Sequence, residues 1–281
     1  MKRISIVGFG LIGGSLSLAL RRNGAVHVTA IDRAPVLARA EAQNAADEHL
    51  PLEEADSLRA ALERSDLTVL AVPVSTIIRL LPWSLTHSPV VTDCGSTKRE
   101  IANAAADHAR GVGFVPGHPM AGLPDAGIEN ARGDLFEGRK WIVCPEHADP
   151  HARQTVAEMV ALTGAQLVEL TPEAHDRAVA VTSHLPQLLA SSLFTLADNE
   201  SARSAMGPAF ERATRGAGGL ESMWSDIFET NADEVARAAE ALSQELGKIA
   251  VGLRRSPPDT HAALAVLARA RSRRGAGNGN A

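Results

Sequence analysis

The run Gly117-His118-Pro119-Met120-Ala121-Gly122 holds a titratable ring between a glycine and a proline. Glycine permits close backbone approach and proline stiffens the far side. Such a ring is either a turn histidine or a group placed for proton transfer. Gly8-Phe9-Gly10-Leu11-Ile12-Gly13 has the spacing that lets backbone approach a pyrophosphate at a helix N-terminus. Asp32 lies at the distance expected of a residue that accepts hydrogen bonds from an adenosine ribose and repels a 2′-phosphate. NAD is the expected cofactor, and Arg33 beside it leaves room for NADP. Val72-Pro73 ends a strand, where it either lines a cofactor crevice or terminates the strand.

Three further groups have chemistry to offer. Ser96, in Asp93-Cys94-Gly95-Ser96-Thr97-Lys98, either caps a helix starting near Arg99 or places its hydroxyl beside a catalytic ring nitrogen. Lys98 fits a phosphate contact or a helix turn. Ser183-His184-Leu185-Pro186-Gln187 combines polar side chains with a proline suited to a first helical turn. That is a place to hold an anion, or a capping serine beside a core histidine. Arg215, next to Gly216, has room to grip a carboxylate bidentately, although a surface arginine is the commoner case.

The elements that position these groups follow from periodicity. Arg3–Val7, Val26–Ile31, Leu67–Val72 and Val90–Asp93 read as buried strands, with helical patterns over Leu11–Arg22 and Pro35–Asn44. Gly113–Val115 and Trp141–Cys144 are expected to be the last strands of this half, with His118 in a loop. The alternation predicts an α/β, Rossmann-type doubly wound parallel sheet over residues 1–170. From 171 to 256 the pattern is helical and rich in Ala and Leu. Its apolar faces are expected to pack against a second copy, as an all-α homodimerisation domain. Pro257-Pro258 should break the last long helix, leaving a short helix and a flexible tail over 257–281.

With a net charge of −5 over 281 residues and no basic block before the tail, nothing favours nucleic acid or an anionic membrane as partner. Apolar runs are strand-sized, so no membrane span is expected. The two cysteines, Cys94 and Cys144, form no disulfide framework. The N-terminus enters a strand without a secretory segment, so a cytoplasmic protein is expected. No metal site is expected.

Taken in order, Gly8–Gly13, Asp93–Lys98, Gly117–Gly122, His175-Asp176, Ser183–Pro186 and Thr214-Arg215 closely resemble the prephenate/arogenate dehydrogenase family of tyrosine biosynthesis, over about residues 1–255. The resemblance implies a nicotinamide-linked oxidation of a cyclohexadienol with loss of carbon dioxide. It makes His118 the catalytic histidine and Ser96 its assistant. It makes Ser183 and His184 lining residues of the substrate and nicotinamide cleft, and Arg215 the anchor of the ring carboxylate. Gln187 stands where many members carry histidine, and Leu123-Pro124-Asp125 stands where some prephenate-specific members have a threonine and a glutamate. Both positions meet the substrate's side chain. Prephenate is the expected substrate, with arogenate, both substrates, or 4-amino-4-deoxyprephenate as alternatives. A non-catalytic NAD sensor would not need His118, Ser96, His184 and Arg215 together. A β-hydroxyacid dehydrogenase would lean on a catalytic lysine, and Lys248 is the only lysine after Lys140.

Overall fold

The structure, a computed structural model, describes residues 1–24, 26–123 and 125–277. Pro124 of the loop after Gly122, and residues 278–281 of the expected tail, lie outside the described residues. The described chain falls into two compact units, Met1–Ala232 and the described residues from Asp233 onward.

The first unit is built on six short strands: β1 Arg3–Val7, β2 His27–Asp32, β3 Glu48–Pro51, β4 Leu67–Leu70, β5 Val91–Asp93 and β6 Phe114–Val115. They pair in the order β3-β2-β1-β4-β5-β6, and every pair is parallel. A parallel sheet covered on both faces needs apolar residues at successive positions, which is why these strands read as continuous runs. One face, with Ile4, Ile6, Val28 and Val69, packs against Leu16 and Leu20 of helix α1 (Leu11–Asn23), Leu37 of α2 (Ala34–Ala42) and a later helix. The opposite face, with Val7, Ile31, Leu70 and Val91, meets α3 (Ala55–Glu63), α4 (Val74–His87) and α5 (Arg99–Ala106) through Leu62, Ile77, Leu81 and Ile101. β3 was not anticipated, because its residues Glu48-His49-Leu50-Pro51 carry little β-propensity. Register with β2 holds it in place.

Two expectations are corrected beyond β6. His118 is not in a loop: Gly117–Pro119 forms a strand, β7. It pairs antiparallel with β8 (Lys140–Val143), placing His118 opposite Ile142. β8 also pairs with β9 (Gln166–Glu169), so Trp141–Val143 belongs to a separate three-stranded sheet. Pro116 causes the break. Its nitrogen cannot donate, β6 stops before it, and its carbonyl accepts from Cys144 at 2.9 Å. Helix α6 (Pro150–Leu162) covers the first sheet through Val156, Met159 and Val160.

After β9 come α7 (Pro172–Val179), one π-helical turn over Ala180–His184, and α8 (Leu185–Leu196). Together they make a 25-residue helical run, Pro172–Leu196, in which an 18-residue window has mean hydropathy 1.2, long and apolar enough by length and composition to cross a membrane. His175, Asp176 and His184 on it are buried in the first unit. The unit closes with α9 (Glu200–Ser204), α10 (Pro208–Thr214) and α11 (Glu221–Thr230).

The second unit begins within α12 (Ala232–Leu253) and continues with α13 (His261–Gly277), longer than the short helix expected. Asp259 turns the chain between them, with its N–H donating to Gly252 O at 3.0 Å, and Arg269 pairs with Glu245. Leu246, Val251, Leu264 and Leu267 are exposed.

Candidate active site

At the N-terminal turn the backbone leaves a cradle. Gly8 has φ +91°, and a Cβ there would stand 2.4 Å from Ala71 O. At Gly13 a Cβ would stand 2.0 Å from Gly8 O, so α1 can approach the end of β1 only because residue 13 is glycine. Above Gly10 a Cβ would meet nothing within 4 Å, and no side chain caps α1. Its first N–H groups therefore face open space, the condition for binding a phosphate. Leu11 and Ile12 stand part-buried in that first turn. Asp32 accepts from Phe9 N and from Arg33 N, both at 2.6 Å, so its carboxylate is pinned beside the glycine turn. Arg33 is exposed, with Nε 4.0 Å from Asp32 Oδ1. Val72 is half-buried and Pro73 exposed at the N-cap of α4.

The second part of the site starts from buried charge. Asp93 and Lys98 are wholly buried and form an ion pair. Lys98 Nζ also donates to Gly117 O at 2.7 Å, while Gly117 N donates to Asp93 Oδ1 at 3.0 Å. The pair thus grips both backbone groups of the residue before His118. Lys98 thus opens the first turn of α5, its carbonyl accepting from Ala102 N at 2.8 Å, while its ammonium is committed to Asp93 and Gly117 O, as a buried charge needs a buried partner.

His118 Nδ1 lies 2.8 Å from His175 Nε2, and His175 Nδ1 lies 2.7 Å from Asp176 Oδ1. The Asp176 carboxylate also accepts from Lys98 N at 2.7 Å and Arg99 N at 2.9 Å. Asp176 therefore caps α5, one of the two roles open to Ser96. Ser96 is part-exposed and makes no hydrogen bond among the described residues, to His118 or to any other group. Asn231 Nδ2 donates to Asp176 O at 2.9 Å and lies 3.4 Å from His184 Nδ1. Trp224 stands edge-on to His184, ring centroids 6.1 Å apart. The structure thus gathers His118, His175, Asp176 and His184 into one cluster.

Three of the expected substrate residues lie outside it. Ser183 is part-exposed on the π turn, a distortion often found at functional sites. Gln187 Nε2 donates to Gly218 O and so holds the loop that follows Arg215. Arg215 is exposed at the C-cap of α10. Sequence reasoning missed Asp93, Asn231 and the task of Asp176. Asp176 was visible within His175-Asp176, but its partners lie 77 and 78 residues away.

Burial drives the histidines toward their neutral forms. His118 is held well below its usual value of 6.5, first by desolvation and then by His175, Lys98 and His184. His175 is lowered by burial, partly offset by its hydrogen bond to Asp176. His184 is pushed down from 6.5 to about 4, again mainly by burial. Unfolding restores proton affinity to all three rings. Their contribution to stability is present above the unfolded value and is lost as pH falls from 6.5 toward 4. For His184 alone the shift is worth about 3 kcal/mol. A urea midpoint measured over that range should fall steadily, and a flat profile would contradict neutral burial.

A glycine cradle on a 3-2-1-4-5-6 parallel sheet, with a neutral histidine in the sheet that follows, defines an oxidoreductase of the Rossmann class. Residues 16–169 match the family description "Prephenate dehydrogenase, nucleotide-binding domain", and residues 171–265 match "Prephenate dehydrogenase, dimerization domain". The chain belongs to the prephenate dehydrogenase family. It is 31% identical over 259 residues to the prephenate dehydrogenase of Bacillus subtilis, covering 88% of this chain and 68% of that one. Among solved structures it is similar to prephenate dehydrogenase from A. aeolicus in complex with hydroxyphenyl propionate and NAD+ (TM-score 0.81, 26% identity, 97% and 98% of the two chains). It is also similar to Synechocystis arogenate dehydrogenase (TM-score 0.80, 27% identity, 96% and 99%).

Proposed function

We propose that this chain catalyses the NAD-linked oxidative decarboxylation of prephenate to 4-hydroxyphenylpyruvate, with His118 as the base. The observation that carries this reading is the state of His118. Its Nδ1 is occupied by His175, Nε2 makes no hydrogen bond among the described residues, and burial favours the neutral ring. A neutral imidazole with one free nitrogen can take a proton.

NAD fits the glycine cradle, where a Cβ would fill the space a pyrophosphate needs. Gly8, Gly10, Gly13 and the α1 N-terminus would hold the phosphates, and Asp32 the ribose, with Val72 and Pro73 as wall. The Asp32 carboxylate disfavours a 2′-phosphate, and exposed Arg33 keeps NADP as the lesser cofactor. When bound, the nicotinamide supplies the acceptor for the hydride that leaves the ring carbon bearing the hydroxyl. His118 Nε2 takes the hydroxyl proton as that carbon becomes a carbonyl. The bond from the opposite ring carbon to its carboxylate then breaks. Its electron pair enters the ring, carbon dioxide leaves, and His118 returns its proton to the phenolate oxygen. In this scheme Arg215 grips the ring carboxylate before it leaves, Ser183 and His184 line the cleft, and Ser96 assists His118 from beside the substrate hydroxyl.

Arogenate is the second reading. Gln187 commits its N–H donor to Gly218, which leaves Oε1 free to accept from an α-ammonium. Residues 1–170 serve as the cofactor domain, 171–256 as the substrate and dimerisation domain, and 257–281 as an appendage. The enzyme works as a homodimer in the cytoplasm without nucleic acid or membrane partners. Exposed Leu189, Leu193 and Phe194 on α8 suit a dimer face, and the free thiols Cys94 and Cys144 suit a reducing compartment.

Steady-state kinetics with prephenate and arogenate, each with NAD and NADP, test the reading. NAD reduction with prephenate should show the highest kcat/KM. A higher value with arogenate would select the second reading, and no reduction with either would overturn both.

A further inference from the structure

We propose that His175 and Asp176 are positioning residues for the reaction. The Asp176 carboxylate fixes the tautomer of His175, and His175 in turn fixes that of His118, so that the base presents a bare Nε2. This rests on His118 being the base.

Hydrogen-bond donors and acceptors allow only one arrangement of the neutral rings. A carboxylate only accepts, so His175 Nδ1 carries the proton it donates to Asp176 Oδ1 over 2.7 Å. Neutral His175 then has a bare Nε2, and His118 Nδ1 must donate to it over 2.8 Å. His118 keeps its own Nε2 unprotonated. The Asp176 carboxylate accepts from Lys98 N and Arg99 N at the start of α5, eight residues long, where a helix N-terminus favours an acceptor. Asn231 holds its backbone carbonyl. Asp176 is therefore fixed from two elements, and both rings inherit its orientation.

When the substrate O–H bond breaks, an N–H bond forms at His118 Nε2 and the oxygen keeps the electron pair for the new carbonyl. The positive charge appears on His118. Lys98 opposes it, His184 opposes it when protonated, and Asp93 partly screens Lys98. Asp176, one ring away, is the anion aligned with the His118 Nδ1–H. No proton has to pass beyond His118, so the pair acts by orientation and charge.

Asp176→Asn separates this from a structural role. The amide nitrogen can face His175 and invert the chain of donors, leaving His118 Nε2 protonated. An analogous inversion in the Ser-His-Asp triad costs about 10⁴-fold in kcat. Here kcat should fall at least about 10²-fold, with KM for substrate and NAD within a few-fold. Nitrogen-15 spectra of histidine-labelled enzyme should show His118 protonated at Nδ1 in the unaltered chain and at Nε2 in the variant. A second pair guards against misfolding. His175→Gln places an amide oxygen where Nε2 stood and should retain much of the activity. His175→Leu removes the acceptor and should lose it. Equal losses in Gln and Leu, or a wild-type His118 protonated at Nε2, would overturn the proposal. The tautomer spectra need no turnover, so they stand even if neither prephenate nor arogenate is a substrate.

Discussion

His118→Asn is expected to lose about 10²–10⁴-fold in kcat, the usual worth of a positioned base. The substitution keeps an amide nitrogen near the position of Nδ1, so the contact with His175 can persist while Nε2 disappears. Its backbone register opposite Ile142 should not change. NAD affinity, measured by fluorescence quenching, should stay within a few-fold, because the cradle at Gly8–Gly13 is formed by β1 and α1. Retained turnover within a few-fold would remove His118 from the chemistry. The wild-type pH profile carries the same argument with its sign. His118 must be neutral to act, and burial holds it neutral well below 6.5. The kcat/KM of the free enzyme should therefore stay level as pH falls through 6.5 and decline only in more acidic solution.

Lys98→Met should cost about 3–5 kcal/mol in folding stability, the range for breaking one side of a buried ion pair. Asp93 would remain wholly buried without its cation, and Gly117 O would lose its donor at 2.7 Å. For a chain of this size that loss lowers the thermal midpoint by roughly 10 °C. Lys98→Met combined with Asp93→Asn removes the stranded charge and should recover part of the loss, well short of additivity. A single variant that unfolds within about 1 kcal/mol of wild type would mean that water reaches the pair. Activity should suffer beyond stability, because Asp93 and Lys98 hold the residue that precedes His118.

Local pattern made much of this protein legible. The apolar runs at Arg3–Val7, Leu67–Leu70 and Val91–Asp93 can only be strands buried on both faces, and glycine spacing after the first marks the cradle. β3 and β9 escaped notice because their sequences are polar or short, and pairing with a neighbour makes them strands. β7 escaped because Gly-His-Pro reads as a turn. Its extended form comes from β8, more than 20 residues further on.

The same division runs through the site. Residue types alone determined which groups could do chemistry: His118, Ser96, His184, Arg215 and the glycines. Which of them meet was settled by the tertiary structure, as it depends on elements far apart in the chain. α7 brings Asp176 to the N-terminus of α5, where two unpaired backbone N–H groups need an acceptor. That need places His175 against His118 and leaves Ser96 without a capping role. Hydrogen-bond satisfaction and the cost of burying charge act through space, and a linear pattern of residue types does not record them.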